Sequence, residues 1–175
     1  VTPAGTRSAR ADEVVAEGRR LLEEEGPEAL TMRRLADRLG IRAPSLYKHL
    51  PGKPALEAAI IATGLEESAA AFEAAVDGAA DPLPALAAAY RGFALAHPHL
   101  YRLMHDGPLP RQHLPPGLED RAAAPVLRVT GSRARARALW AFAHGMVMLE
   151  LDQRFPPDAD LDAAWRAGVA AFQPP

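Results

Sequence analysis

The stretch TMRRLADRLGIRAPSLYKHLPGKPAL, Thr31 to Leu56, constrains this chain more than any other, because it fits two short helices to a single glycine and then opens a third. The Thr31 hydroxyl can cap the first helix, and Met32, Leu35, Ala36 and Leu39 recur on one face at helical spacing. Gly40 stands where a helix ends in a left-handed residue. Ile41 then turns inward, and Ala43, Pro44 and Ser45 begin a second helix, with Pro44 in the first turn, where its missing N–H costs little. Leu46 and Leu50 point inward from that helix. Arg42, Ser45, Tyr47, Lys48 and His49 are left outside, a basic, polar and aromatic tip suited to a DNA major groove. The pattern is that of a helix-turn-helix.

Within this stretch Gly40-Ile41, Leu46-Tyr47-x-His49-Leu50 and Lys53-x-x-Leu56 resemble the N-terminal signature of the TetR family of bacterial regulators. The resemblance implies an all-α chain: a three-helix DNA-binding head, residues 1–54, on a helical effector-binding and dimerising body, residues 55–175. It also implies that Lys53 touches a DNA phosphate. Two positions depart from the family pattern. Arg42 occupies the usual serine cap position of the recognition helix, and Gly52 replaces the usual Ser or Asn before Lys53. Both changes weaken capping, and Arg42 adds a charge that can reach DNA. Further on, Trp140, His144 and Gly145 resemble the Trp-His-Gly pattern of one class of TetR-family C-terminal domains.

Charge tests the DNA reading. The formal net charge of −2 argues against a nucleic-acid binder, but residues 1–54 hold 10 Lys/Arg against 8 Asp/Glu, a net of +2, and residues 55–175 hold 10 against 14, a net of −4. The acids of the head lie mostly between Asp12 and Glu28, and from Thr31 to Leu56 the one acid is Asp37. Phosphate contact needs positive charge locally, not on average. Without cysteine the chain has neither disulfides nor thiolate metal sites, and with no N-terminal apolar segment it is expected in the cytoplasm. Its longest mainly apolar run, Ala138 to Leu149, is well short of the roughly 20 residues that span a membrane.

The periodicities extend this organisation. Val1 to Arg10, with Arg7 and Arg10, reads as a flexible arm that can lie in a minor groove or simply be a charged terminus. A helix from about Ala11 to Glu25 supports the motif. Lys53 and Pro54 open a helix to about Asp77, long enough to leave the head. A second body helix presents Leu86, Tyr90, Phe93 and Leu95 or Ala96, and a short helical piece covers His99 to His105. Gly107 to Gly117, with four prolines, cannot be regular helix and is either a pocket wall or a plain connection. Helices over about Leu118 to Val129, Ser132 to Phe155 and Ala159 to Phe172 follow. Of these, the second is apolar on so wide a face that it needs more than one partner.

These patterns lead to a ligand-responsive DNA-binding regulator, more a repressor than an activator, with no cofactor. DNA contact is expected from Thr31, Arg42, Ser45, Tyr47, Lys48, His49 and Lys53. Ala138, Ala141, Gly145, Trp165, Val169 and Phe172 are the expected homodimer interface, built as a four-helix bundle. Tyr90, Phe93, Tyr101, Met104, Phe142 and Met146 are candidate walls for an unidentified apolar or aromatic effector, although each also reads as ordinary core. His97, His99 and His105 lack the fixed geometry of a metal site, His144 reads as a core histidine, and Arg133, Arg135 and Arg137 as a solvated face. No GxSxG, HExxH or glycine-rich phosphate loop is present, so an enzyme is not expected. The rival reading is a helical protein-interaction adaptor without specific DNA binding.

Overall fold

A computed structural model describes residues 8–173. Among them are nine α-helices and no strand, and no helix is long and apolar enough to cross a membrane. By packing, the described chain divides into two compact units, one of residues up to 65 with 97–118, the other of residues 66–96 with those from 119 onward.

The first unit begins with α1 (Ala9–Glu25), capped by the Ser8 hydroxyl, which accepts from the Ala11 amide. Arg10, expected in the arm, lies inside this helix and pairs with Glu13 at 2.6 Å. Arg7 falls outside the described residues. The helices α2 (Met32–Arg38) and α3 (Ala43–Leu46) follow, and α4 (Lys53–Val76) supplies its residues up to 65. Val14, Leu21, Leu22, Leu35, Leu46, Leu56 and Ile60 form a fully buried core. Gly18 lets α1 and α4 approach: a Cβ there would sit 2.9 Å from a Leu56 methyl.

The unit also takes in α6 (Pro98–His105), which the division at residue 54 assigned to the body. Packing draws the boundary elsewhere because Leu100 and Tyr101 are buried, and the Glu23 carboxylate of α1 accepts from the Leu100 amide at 3.3 Å. Gly64 opens a similarly close approach to α6, with Leu100 methyls 3.1 Å from where a Cβ would stand. The proline-rich segment contains one 3-10 turn (Arg111–His113) and is anchored by Leu109 and Leu114, which join Ile61, Ala62, Leu103 and Met104 in a small apolar cluster.

The second unit holds residues 66–76 of α4, α5 (Pro82–Ala96), α7 (Leu118–Thr130) from residue 119, α8 (Arg133–Leu151) and α9 (Leu161–Ala170). Phe72 stacks on Tyr90 at 5.5 Å and meets Phe93 edge-on at 6.3 Å. On α5 the inward residue after Tyr90 is Ala94, while Leu95 and Ala96 are exposed, a correction to the expected face. The step from Tyr90 to Ala94 keeps the i, i+4 ridge that Leu86 and Tyr90 begin. α8 stops at Leu151, short of Phe155, where Gln153 adopts a left-handed φ of 52°. Along it Leu139, Ala143 and Val147 are buried, whereas Trp140 and Leu149 are exposed.

Candidate nucleic-acid interface

Local chemistry sets the geometry of the motif. The Thr31 hydroxyl accepts from the Arg34 amide at 3.1 Å and satisfies one of the free N–H groups at the start of α2. At the other end Gly40 takes a φ of 64°, and the Ile41 amide reaches back to the Ala36 carbonyl at 3.0 Å. That bond crosses the left-handed residue as a Schellman closure does. Arg42 begins α3 with no side-chain cap, as its replacement of a serine implies. Regular α geometry lasts only to Leu46, earlier than expected, and residues 47–49 continue as turns. Pro51 keeps the helix from continuing past Leu50, since the residue before a proline is pushed out of helical backbone. Even so, the Leu50 amide still bonds the Leu46 carbonyl at 2.9 Å, and both leucines are buried.

The outward residues emerge as the sequence suggests. Tyr47 is 54% exposed, a large figure for an aromatic ring, and Arg42, Lys48 and His49 are exposed beside it. Ser45 is half-buried. Gly52, with φ 110°, turns the chain into α4, and its carbonyl receives the Leu56 amide at 3.2 Å. Lys53 stands exposed in the first turn of α4, 3.6 Å from Glu57.

Electrostatics decide what this surface presents. Arg38 donates to Glu17 at 2.6 Å, Glu24 at 2.7 Å and Glu25 at 3.1 Å, and Arg34 donates twice to Glu25, at 3.1 and 3.0 Å. The Arg34 hydrogen bonds, with help from Arg38, hold the Glu25 carboxyl below its ordinary range. Those carboxylates are therefore spent on the α1 side of α2. Arg33, Arg42, Lys48 and His49 carry no ion pair among the described residues. Arg33 was not among the expected contacts. It is exposed in the first turn of α2, and the signal that finds it is its place off the Met32–Leu35–Ala36 stripe.

The expected effector walls are spread over both units. Tyr101 and Met104 belong to the first, where the Tyr101 ring is buried with His105 at 4.2 Å. Tyr90, Phe93, Phe142 and Met146 belong to the second. The expected dimer residues also divide. Ala138 and Ala141 are exposed and Gly145 partly so, but Trp165 and Val169 are 5% and 4% exposed, buried within this chain's own unit. Phe172 is half-buried against the Phe142 ring at 5.9 Å. Trp165 donates its indole N–H to Glu150, which is why so large a ring turns inward. Arg135 is no solvated charge: it donates to the carbonyls of Phe172, at 2.8 Å, and Gln173, and so ties down the end of α9. His97 lies 3.8 Å from Glu23, and the His105 ring nitrogen bonds the Tyr101 carbonyl at 2.8 Å.

An all-α chain with a capped helix, a left-handed glycine and a second short helix bearing exposed cations belongs to the helix-turn-helix class of regulators. Residues 14–60 match the family model described as bacterial regulatory proteins of the tetR family, and residues 83–172 match a tetracyclin repressor-like C-terminal domain, a span that includes Trp140, His144 and Gly145. The chain belongs to the TetR family. It is 32% identical over 155 residues to the uncharacterized HTH-type transcriptional regulator Rv0681 of Mycobacterium tuberculosis, covering 82% of this chain and 71% of that protein. To the HTH-type transcriptional regulator Rv1816 of the same organism it is 29% identical over 124 residues, 68% of this chain. The chain spans about half, 52%, of the length of that relative. These relatives are transcriptional regulators, not enzymes.

Solved structures agree on the fold. A Rhodococcus sp. RHA1 protein of unknown function superposes with a TM-score of 0.77 at 26% identity, covering 98% of this chain and 97% of that one. BioQ, solved with its double-stranded DNA operator, superposes with a TM-score of 0.62 at 19% identity over 94% of this chain and 98% of that one. A TetR variant from Acinetobacter baumannii AYE, solved with minocycline, gives 0.67 at 24% identity over 92% of each chain.

Proposed function

We propose that this chain is a cytoplasmic, homodimeric transcriptional repressor that binds a near-palindromic operator and is released by a small apolar or aromatic effector. The observation that carries the DNA reading is the division of charge in the head: Glu17, Glu24 and Glu25 of α1 are committed to Arg34 and Arg38, which leaves Arg33, Arg42 and Lys48 outward beside an exposed Tyr47. Tyr47 and Lys53 contact phosphates, with Thr31 adding its hydroxyl or helix N-terminus. Arg42, Ser45, Lys48 and His49 lie against bases or nearby backbone. Two heads enter successive major grooves, with half-site centres about 34–36 Å apart or more. Each head alone is weakly charged, so a dimer is needed to reach useful affinity.

For the dimer, the exposed face of α8 is the better surface, with Ala138, Ala141 and Gly145 admitting a close helix and Trp140 and Leu149 supplying apolar area. Trp165 and Val169 are left out of it because they are already buried. Of the expected effector walls, Tyr90, Phe93, Phe142 and Met146 share the second unit and are the ones we retain for the effector. Proteins of this shape have been solved with an operator, as BioQ, and with minocycline, as the TetR variant, and this supports both kinds of partner.

The test is binding to the DNA upstream of the chain's own gene across a salt series, for wild type, Tyr47→Ala and Lys53→Ala, with the protein-to-DNA ratio measured. Tight binding by two chains per site, weakened by salt and lost in both variants, is expected. Wild-type affinity no better than for random DNA, repeated in a genome-wide selection, would move the reading to a protein-only adaptor.

A further inference from the structure

Between α5 and α9, inside the second unit, runs a groove of about 340 Å³, at the small end of the range typical of ligand sites, about 300–1,000 Å³. It exists because Ala87 and Ala88 of α5 face Ala170 of α9, and none of the three has a side chain long enough to fill the space. Its aromatic wall is Trp165, with Val169 one turn further on.

The polar end of the groove is fixed in place. The Trp165 indole donates to the Glu150 carboxylate at 2.5 Å, and Arg91 donates to the same carboxylate through Nε at 3.0 Å. Arg91 also reaches Asp162 at 2.6 Å, and its guanidinium lies 5.8 Å from the centre of the Trp165 ring. The Glu150 side chain is only 6% exposed. These groups satisfy one another, so they orient the indole and tie α5, α8 and α9 together rather than offer free charge. Arg166, one turn from Asp162 on the same wall, is exposed and carries no ion pair among the described residues.

We propose that this groove binds a flat apolar monoacid, its aromatic body over the exposed Ala88 and Ala170 and against the small accessible edge of the otherwise buried Trp165, and its carboxylate on the Arg166 guanidinium. A planar fork of N–H donors is the side chain best matched to a carboxylate. Asp162 opposes an anion, but Arg91 offsets that charge at hydrogen-bond distance. The site shares no residue with the proposed effector walls, and it stands whether or not the head reads DNA.

The experiment is an NMR titration that follows the two indole N–H signals, with Trp140→Phe to assign them. The probe is 2-naphthoate, and the uncharged control is 2-naphthamide. Naphthoate is expected to move the Trp165 signal saturably and leave Trp140 in place. Arg166→Gln, a change at an exposed position, should weaken naphthoate about tenfold and leave naphthamide as it was. Ala88→Leu, also at an exposed position, should fill the groove and abolish both. A Trp165 signal that naphthoate does not move overturns the proposal, including the case in which a second copy of the chain covers the groove. Equal naphthoate affinity in wild type and Arg166→Gln overturns it as well, as does naphthamide binding as tightly as naphthoate.

Discussion

Replacing Gly168 by alanine sets two effects against each other in one helix. In an exposed helix interior the change adds about 1 kcal/mol of stability, because glycine is the poorer helix former. Here the new Cβ would fall inside the Phe142 ring, whose Cε1 lies 2.9 Å from it. The ring has little room to yield, since it meets Trp165 edge-on at 5.6 Å and Phe172 at 5.9 Å. Over-packing costs about 1–3 kcal/mol, and the two ring pairs that would be disturbed are worth about 0.5–1.5 kcal/mol each. The packing cost wins, and a net loss of about 2 kcal/mol is expected. With a urea m-value of about 2 kcal/mol/M, the unfolding midpoint followed by circular dichroism should fall by about 1 M at unchanged m. In a Phe142→Ala background the methyl enters vacated space, and the same substitution should raise stability by about 1 kcal/mol. A midpoint that stays put or rises in the otherwise wild-type chain would refute this reasoning.

Two further outcomes follow from the local chemistry. Arg42→Ser gives α3 the cap acceptor it lacks and should raise stability by about 1 kcal/mol in a thermal melt. In the salt series it should weaken operator binding and lower the salt slope by about 1 per head, and an unchanged slope would place Arg42 away from DNA. Burial holds His144 below its ordinary value of 6.5, so protonation is easier in the unfolded chain. Stability should therefore fall as pH drops from 6.5 toward the lowered folded value, then level off, and His144→Gln should remove that limb of the melting profile. Parallel profiles for the two proteins would contradict this.

What was legible in the sequence was short-range. Thr31, Gly40, Pro44 and Gly52 act on backbone within four residues of themselves, and each does what its chemistry predicts. Leu46 and Leu50 were readable for the same reason. The commitment of Arg34 and Arg38 to Glu17, Glu24 and Glu25 was not, because it depends on where α1 crosses α2. On α8 two apolar stripes one residue apart both fit a helix, and periodicity alone could not tell that Val147 is buried and Leu149 exposed. Trp165 and Val169 have the look of interface residues, but α5 and α8 come together to cover them within the same unit. Leu95 misled because hydrophobicity alone favoured it over the Ala94 that continues the ridge.

The ion pairs between α1 and α2 also bear on how a head meets DNA before any bond forms. A body whose carboxylates are neutralised on one side and whose cations are bare on the other feels a torque in the field of a polyanion. It turns its cationic side forward while still a Debye length away, about 8 Å at physiological salt. First touches are then made with Arg33, Arg42 and Lys48 leading, so fewer collisions are wasted on the wrong orientation. Charge reversal at Arg38 would leave that leading face intact and yet unbalance the rear, slowing arrival without removing a single contact in the final complex.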